Sequence, residues 1–333
     1  MQLIFDKDKT AIIKGVAILL MIFLHVFSGS SWYEVELPMN NNQFLLDVIG
    51  TFKICVGLFT FMVGYGYAFA KNKSLEYSWH HVKQLLVVYW IVLIGLALPF
   101  ALRSFFLGGG NELILNMIAL SSSLSWVNWF IHFYIWAMIV MPFIGRLIDR
   151  KPICYGLFSI SIIFLGEVVL HELMPSYKES PWLQALFNCL FQSPCMILGY
   201  IMSQLKLFQK INVPISKFTV LGAVVLLMIV LFLRYLISAL AGFNFDFFYA
   251  PSFIFGLLII FTRNNKSVLA RLLIEFGDKS VYMWFFHGLF FTMSTRWFYQ
   301  PFILVSDNLW IIAIWTIILS YICSAIIKKV VEY

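Results

Sequence analysis

Two histidines set in apolar stretches, His25 and His287, are the side chains of this sequence best suited to move a proton near neutral pH. Lys14 stands eleven residues before His25. Eleven residues are almost three helical turns, so the ammonium and the imidazole share one face. A charged ligand held at Lys14 could reach along that face to His25, whose neutral ring accepts a proton from a hydroxyl. The plainer reading of a histidine in such a setting is a hydrogen-bonded link between helices, and it is the first reading for His132. Lys53 and Glu167 read more readily as a buried ion pair than as a catalytic one. Asn188, Gln192, Arg234 and Arg296 fall at similar expected depths, where they could line a polar vestibule for a sugar or phosphate headgroup. Snorkelling to a membrane interface would account for both arginines equally well. The five cysteines lie in apolar stretches with no CxxC spacing, which points to neither a zinc site nor a disulfide framework.

The elements that must position these residues are membrane helices. Of 333 residues, 62% are hydrophobic and 12% charged, against about 25% charged in soluble domains. The net charge of +7 sits in short clusters between apolar runs, the pattern of cytoplasmic loops and not of a nucleic-acid-binding surface. Ten apolar segments can be drawn, at 11–27, 44–70, 82–102, 127–148, 153–170, 182–205, 215–240, 247–262, 279–298 and 302–327. The first imitates a signal peptide but reads better as a retained helix. A more polar piece, 111–126, fits a re-entrant or interfacial segment between the third and fourth spans. With the N-terminus inside, eighteen lysines and arginines fall on the inner side, and only Arg103, Lys178, Arg234 and Arg296 on the outer. The outer side gathers acids instead, among them Glu34, Glu36, Glu179 and Asp307. The expected fold is therefore one all-α membrane bundle of about ten helices over 1–333, both termini cytoplasmic, without a soluble appendage. At ~1.5 Å per residue His25 lies ~16 Å deeper than Lys14, near the midplane, and His287 ~12 Å from the inner face.

The run Lys14-Gly15-Val16-Ala17-Ile18-Leu19-Leu20-Met21-Ile22-Phe23-Leu24-His25 resembles the opening of the membrane acyltransferase family 3 proteins, with a basic residue and a histidine eleven apart. Three further stretches agree: Phe59-Thr60-Phe61-Met62-Val63-Gly64-Tyr65, Trp129-Phe130 followed by Pro142, and Ser280 to His287. The resemblance implies transfer of an acetyl or other acyl group from a cytoplasmic coenzyme A thioester to a hydroxyl of a cell-surface glycan, glycolipid or small molecule. It makes His25 the catalytic histidine and puts Lys14 where the family usually has arginine, which keeps the charge without the bidentate fork. Where the family shows paired arginines, this chain has Lys71, Lys73, His80, His81 and Lys83. Lys14 and Lys83 are thus the expected donor-binding residues, with Trp129 and His287 supporting. Acyl-CoA would be a co-substrate, with no permanently bound cofactor and no metal. The rival readings are a transporter or lipid flippase with a histidine relay through His25, Lys53, Glu167 and His287, and a noncatalytic partner of a glycan-assembly complex.

Overall fold

A computed structural model describes residues 3, 5–27, 33, 42–105, 109–122, 124, 129–174, 180–214, 216–241, 246–263 and 267–332. Glu34, Glu36, Lys178, Glu179 and Lys266 lie outside them, as does the side chain of Arg103. The described residues form sixteen α-helices, three short 3-10 or π segments and no strand. In order these are α1 (Lys7–Val26), α2 (Gln43–Gly50), α3 (Ile54–Tyr67), α4 (Leu75–Val92), α5 (Leu98–Phe105), α6 (Gly109–Met117), α7 (Trp129–Arg150) and α8 (Pro152–Leu173). Then follow α9 (Pro181–Gln204), α10 (Leu207–Lys210), α11 (Lys217–Ala241), α12 (Asp246–Arg263), α13 (Val268–Asp278), α14 (Ser280–Phe291), α15 (Arg296–Tyr299) and α16 (Leu309–Glu332).

Eight helical stretches among the described residues are long and apolar enough to cross a membrane, and two shorter apolar helices lie where the eighth and ninth expected spans were drawn. The ninth differs most from its expected extent. It runs only from Ser280 to Phe291, because Thr292 turns extended while its hydroxyl takes the Gly288 carbonyl at 2.7 Å and that of Thr295 takes Leu289 at 2.8 Å. Twelve residues rise ~18 Å, short of a ~30 Å hydrocarbon core, and the helix is enclosed by the bundle instead. By contrast α4 starts earlier than hydropathy suggests, since the Ser74 hydroxyl caps it by accepting from Tyr77 N at 3.2 Å. Pro194 lies inside α9 and leaves it continuous.

Lipid is written into the outward faces. Helix α11 exposes Phe218, Leu221, Met228 and Phe232, and α8 exposes Leu157, Phe158 and Leu165, a continuous apolar exterior that water would not tolerate. The inward faces carry small and polar groups, as in Thr316, Ser320 and Ser324 of α16, all fully buried at four-residue spacing. Two backbone-close crossings hold the centre together. A Cβ on Gly15 of α1 would run into the Leu273 carbonyl, and one on Gly277 of α13 into that of Ala11. Gly64 of α3 and Gly199 of α9 make the same reciprocal fit, against the carbonyls of Met196 and Phe61. A third tie joins α7 and α9 to the α3–α4 connection, where Lys73 bonds Asp149 at 3.0 Å and the Tyr200 hydroxyl at 2.7 Å.

The polar piece between α5 and α7 enters the bundle in its described part. Asn116 is fully buried, its amide donating to the Glu112 carbonyl at 2.8 Å and its oxygen accepting from Leu124 N at 3.1 Å. Tyr89 and Trp90 of α4 take the terminal carbonyls of Asn116 and Met117, which leaves no bare helix end at depth. Ala119 then adopts a left-handed conformation, φ 60°, and sends residues 120–122 to the wall of the central cavity.

Candidate active site

The helices line an open cavity of about 1850 Å³. Its wall includes Lys14 and His25 of α1, Lys53 before α3, His81 of α4, Trp129 and His132 of α7, and Asn188 and Gln192 of α9. Lys14 and His25 are thus two points on one helix facing one space, as their spacing requires. The mutual fit of Gly15 and Gly277 brings the start of α1 against the end of α13, and Asp278, also in the wall, acts electrostatically on Lys14. Asp278 did not stand out in the sequence, and His81 entered only among the basic residues that follow the second span. Both lie in segments that read as ordinary loop or helix-start polarity, and only packing turns them inward.

His25 is 8% exposed and His287 fully buried, and their rings lie parallel, 4° apart, with centroids 5.0 Å apart. His25 Nδ1 is 2.8 Å from His287 Nε2, and His287 Nδ1 is 3.0 Å from the Met283 carbonyl oxygen. A carbonyl only accepts, so the His287 proton sits on Nδ1 and its lone pair on Nε2. Nε2 must then receive the Nδ1 proton of His25, which puts the lone pair of His25 on Nε2. The tautomers are assigned by this chain of acceptors, and the result is a neutral imidazole whose base nitrogen is fixed by a second imidazole. Lys53 is exposed to the cavity and close enough to act electrostatically on His25. At the far end of α1 the Tyr33 hydroxyl donates to the Val26 carbonyl at 2.5 Å, and its ring packs edge-on against Phe291. Burial pushes the Tyr33 phenol up, so it stays a donor.

Several expected site residues are placed elsewhere. Lys53 and Glu167 make no ion pair: Lys53 faces the cavity, while Glu167 is buried in α8 away from its wall. Arg234 is no vestibule residue, because its Nε bonds Asp246 Oδ1 at 2.9 Å and its Nη1 reaches the Gly50 carbonyl at 3.3 Å. A guanidinium taken out of water needs such partners, and here they strap α11 to α12 and α2. Arg296 is half-buried at the start of α15, outside the cavity wall. Lys83 is exposed, its ammonium 5.6 Å above the Trp79 ring, on a different side of α4 from the wall residues Tyr77, His81 and Gln84. Asn188 and Gln192 do line the cavity, Gln192 accepting from the Thr60 hydroxyl at 3.4 Å. Trp129 lines it at the start of α7, edge-on to Phe130. Among the described residues, no group of three or more His, Cys, Asp or Glu side chains could hold a metal ion.

Fold and site together define an α-helical membrane protein whose helices surround a histidine-bearing cavity. The family model for an acyltransferase domain, acyltransferase 3, matches residues 11–329, nearly the whole chain. The chain belongs to that family and is a membrane acyltransferase. No curated protein and no solved structure matches it.

Proposed function

We propose that the protein transfers an acetyl or other acyl group from a cytoplasmic coenzyme A thioester to a hydroxyl of a cell-surface glycan, glycolipid or small molecule, with His25 at the reacting centre. The observation that carries this reading is one cavity holding both Lys14 and His25, the latter with its lone pair fixed on Nε2 by His287. In the general-base form, Nε2 takes the acceptor proton as the hydroxyl oxygen attacks the thioester carbonyl. The new C–O bond forms, the C–S bond breaks, and the proton passes from the imidazolium to the departing thiolate. In the acyl-carrier form Nε2 attacks the thioester carbonyl and expels the thiolate; the hydroxyl oxygen then forms the C–O bond as the C–N bond breaks, and its proton ends on the thiolate. Both need Nε2 unprotonated, which the His287 contact supports.

The donor headgroup would bind at the Lys14 end, with Lys14 as its ammonium and with His81 and Gln84 in the same cavity wall. Asp278 opposes that charge, so the phosphates would extend past Lys14 toward the basic α3–α4 connection. Lys83, turned to Trp79, is less suited to this role than its position in the sequence suggests. This reading puts the protein in the cell membrane with both termini in the cytoplasm, supported by the partition of lysine and arginine between its loops. Family membership weighs against the transporter reading. The test is purified protein in lipid nanodiscs with acetyl-CoA, followed by release of free thiol. His25→Ala should abolish release and acceptor acylation at normal abundance; full activity in that variant overturns the proposal.

A further inference from the structure

From Gln43 to Tyr67 the chain runs as one helical stretch, and its winding tightens at Thr51–Lys53, a 3-10 turn between α2 and α3 that packs against α1. Tightened turns inside longer helices often mark functional positions. This one is pinned by Ile49 and Ile54, buried on either side of it, and by Thr51, whose hydroxyl donates to the Val48 carbonyl at 2.6 Å. Lys53 is its exposed member, and it joins His25 in the cavity wall. No carboxylate answers it. Among the described residues its ammonium has no ion-pair or hydrogen-bond partner, and the acid that lines the wall, Asp278, acts on Lys14. An unpaired charge inside a membrane bundle, turned to an open cavity, is a functional candidate before it is a structural one.

Acyl transfer at His25 would create the negative charge that Lys53 lacks. Hydroxyl, thioester and imidazole are all neutral beforehand. When the hydroxyl oxygen attacks and Nε2 takes its proton, the carbonyl π pair moves onto oxygen and leaves a tetrahedral oxyanion beside an imidazolium. Direct attack by Nε2 gives the same oxyanion beside a ring made cationic. In either form collapse restores the C=O bond and expels the thiolate. Lys53 is close enough to act electrostatically on His25, and by itself an ammonium there would resist a cationic ring. An oxyanion between the two reverses the sign, because each cation then meets an opposite charge nearer than the like one. The wall around His25 on α1 and α3 supplies little else: Met21, Leu24, Val56 and Phe59 have no side-chain donor, and the Cys55 thiol is a weak one. A flexible four-carbon stem lets the lysine ammonium follow charge as it forms.

We propose that the Lys53 ammonium binds the oxyanion of the tetrahedral intermediate at His25, a catalytic role in which it keeps its own protons throughout. The inference rests on the acyl-transfer reading, which supplies the oxyanion. The test uses the full chain in lipid nanodiscs with acetyl-CoA, followed by release of free thiol. Lys53→Met should lower kcat by about 10²-fold, the scale of one lost oxyanion donor, and leave KM for acetyl-CoA little changed, because the ground-state carbonyl carries no full charge. Lys53→Arg keeps the charge and should retain most of the rate, and both variants should unfold at the wild-type midpoint. Lys53→Gln takes the place of Lys53→Met if that variant does not fold. A trifluoromethyl ketone analogue of acetyl-CoA, whose hydrate mimics the tetrahedral centre, should bind the wild type about tenfold tighter than Lys53→Met, whereas coenzyme A binds both alike. Unchanged kcat in Lys53→Met, a loss confined to KM, equal losses in the Met and Arg variants, or equal binding of the ketone overturns the proposal. Two results separate the readings. His25-dependent thiol release that Lys53→Met leaves untouched removes the Lys53 role alone. Lys53-dependent binding of the ketone with no thiol release by the wild type removes the transfer reading and keeps Lys53 as an anion site.

Discussion

At His25, the proposed chemistry depends on one hydrogen bond. Its Nδ1 proton is given to His287, whose own proton is tied to the Met283 carbonyl. That carbonyl cannot take a proton, so charge arising on Nε2 stays shared between two rings and does not leave along the chain. His287→Phe removes the acceptor and lets His25 adopt the opposite tautomer. The expected result is a fall in kcat of about 10²-fold, the lower end of a general base's contribution, with KM for acetyl-CoA little changed. His287→Gln, which can present a carbonyl oxygen to Nδ1, should restore part of the loss; steady-state kinetics on both variants check it. Tyr33→Phe removes only the bond to Val26 and should cost about 1 kcal/mol of stability with a smaller effect on rate.

Among the elements, α1 matters through what it touches. Its contact with α13 is backbone against backbone at Gly15 and Gly277, and these glycines neighbour Lys14 and Asp278. Gly15→Val or Gly277→Val must push the helices apart, with an expected loss of about 1–3 kcal/mol. Because the displaced groups sit at the proposed donor end, KM for acetyl-CoA should rise more than kcat falls. Thermal unfolding in detergent and a donor titration read the two effects separately. The strap from α11 behaves differently. Arg234→Met leaves the Asp246 carboxylate buried and alone, with an expected cost of about 3–5 kcal/mol, whereas replacing both residues by apolar ones should recover much of it.

The described helices surround one large cavity with lipid-facing surfaces outside it, so a ligand filling that cavity should stabilise the whole bundle. Coenzyme A at about 100 times its Kd should add about 2.7 kcal/mol, read as a higher unfolding midpoint. The gain should persist in His25→Ala and shrink in Lys14→Met. Orientation is testable on the same scale. Cys154, exposed at the start of α8, should resist an impermeant maleimide in intact cells and react after permeabilisation. Asp307→Cys, placed in the exposed turn before α16, should react without it.

The sequence by itself determined the solvent of this protein, most of its spans and the alignment of Lys14 with His25. Those properties follow from local composition and helical period, which need no knowledge of neighbours. It also marked His287 by residue type, and residues 111–126 as a piece too polar to cross. Tertiary structure alone decided partnership. That His25 meets His287 across 262 positions, that Lys53 faces the cavity while Glu167 does not, and that Arg234 spends its charge on Asp246 depend on which helix faces turn together. The short α14 escaped a hydropathy reading because Thr292, Met293, Ser294 and Thr295 after it carry no charge, and the chain turns there through hydroxyls that bond carbonyls of its last turn. His132 was legible as a residue and not as an unpaired one, since an unmet hydrogen bond exists only once every neighbour has been placed.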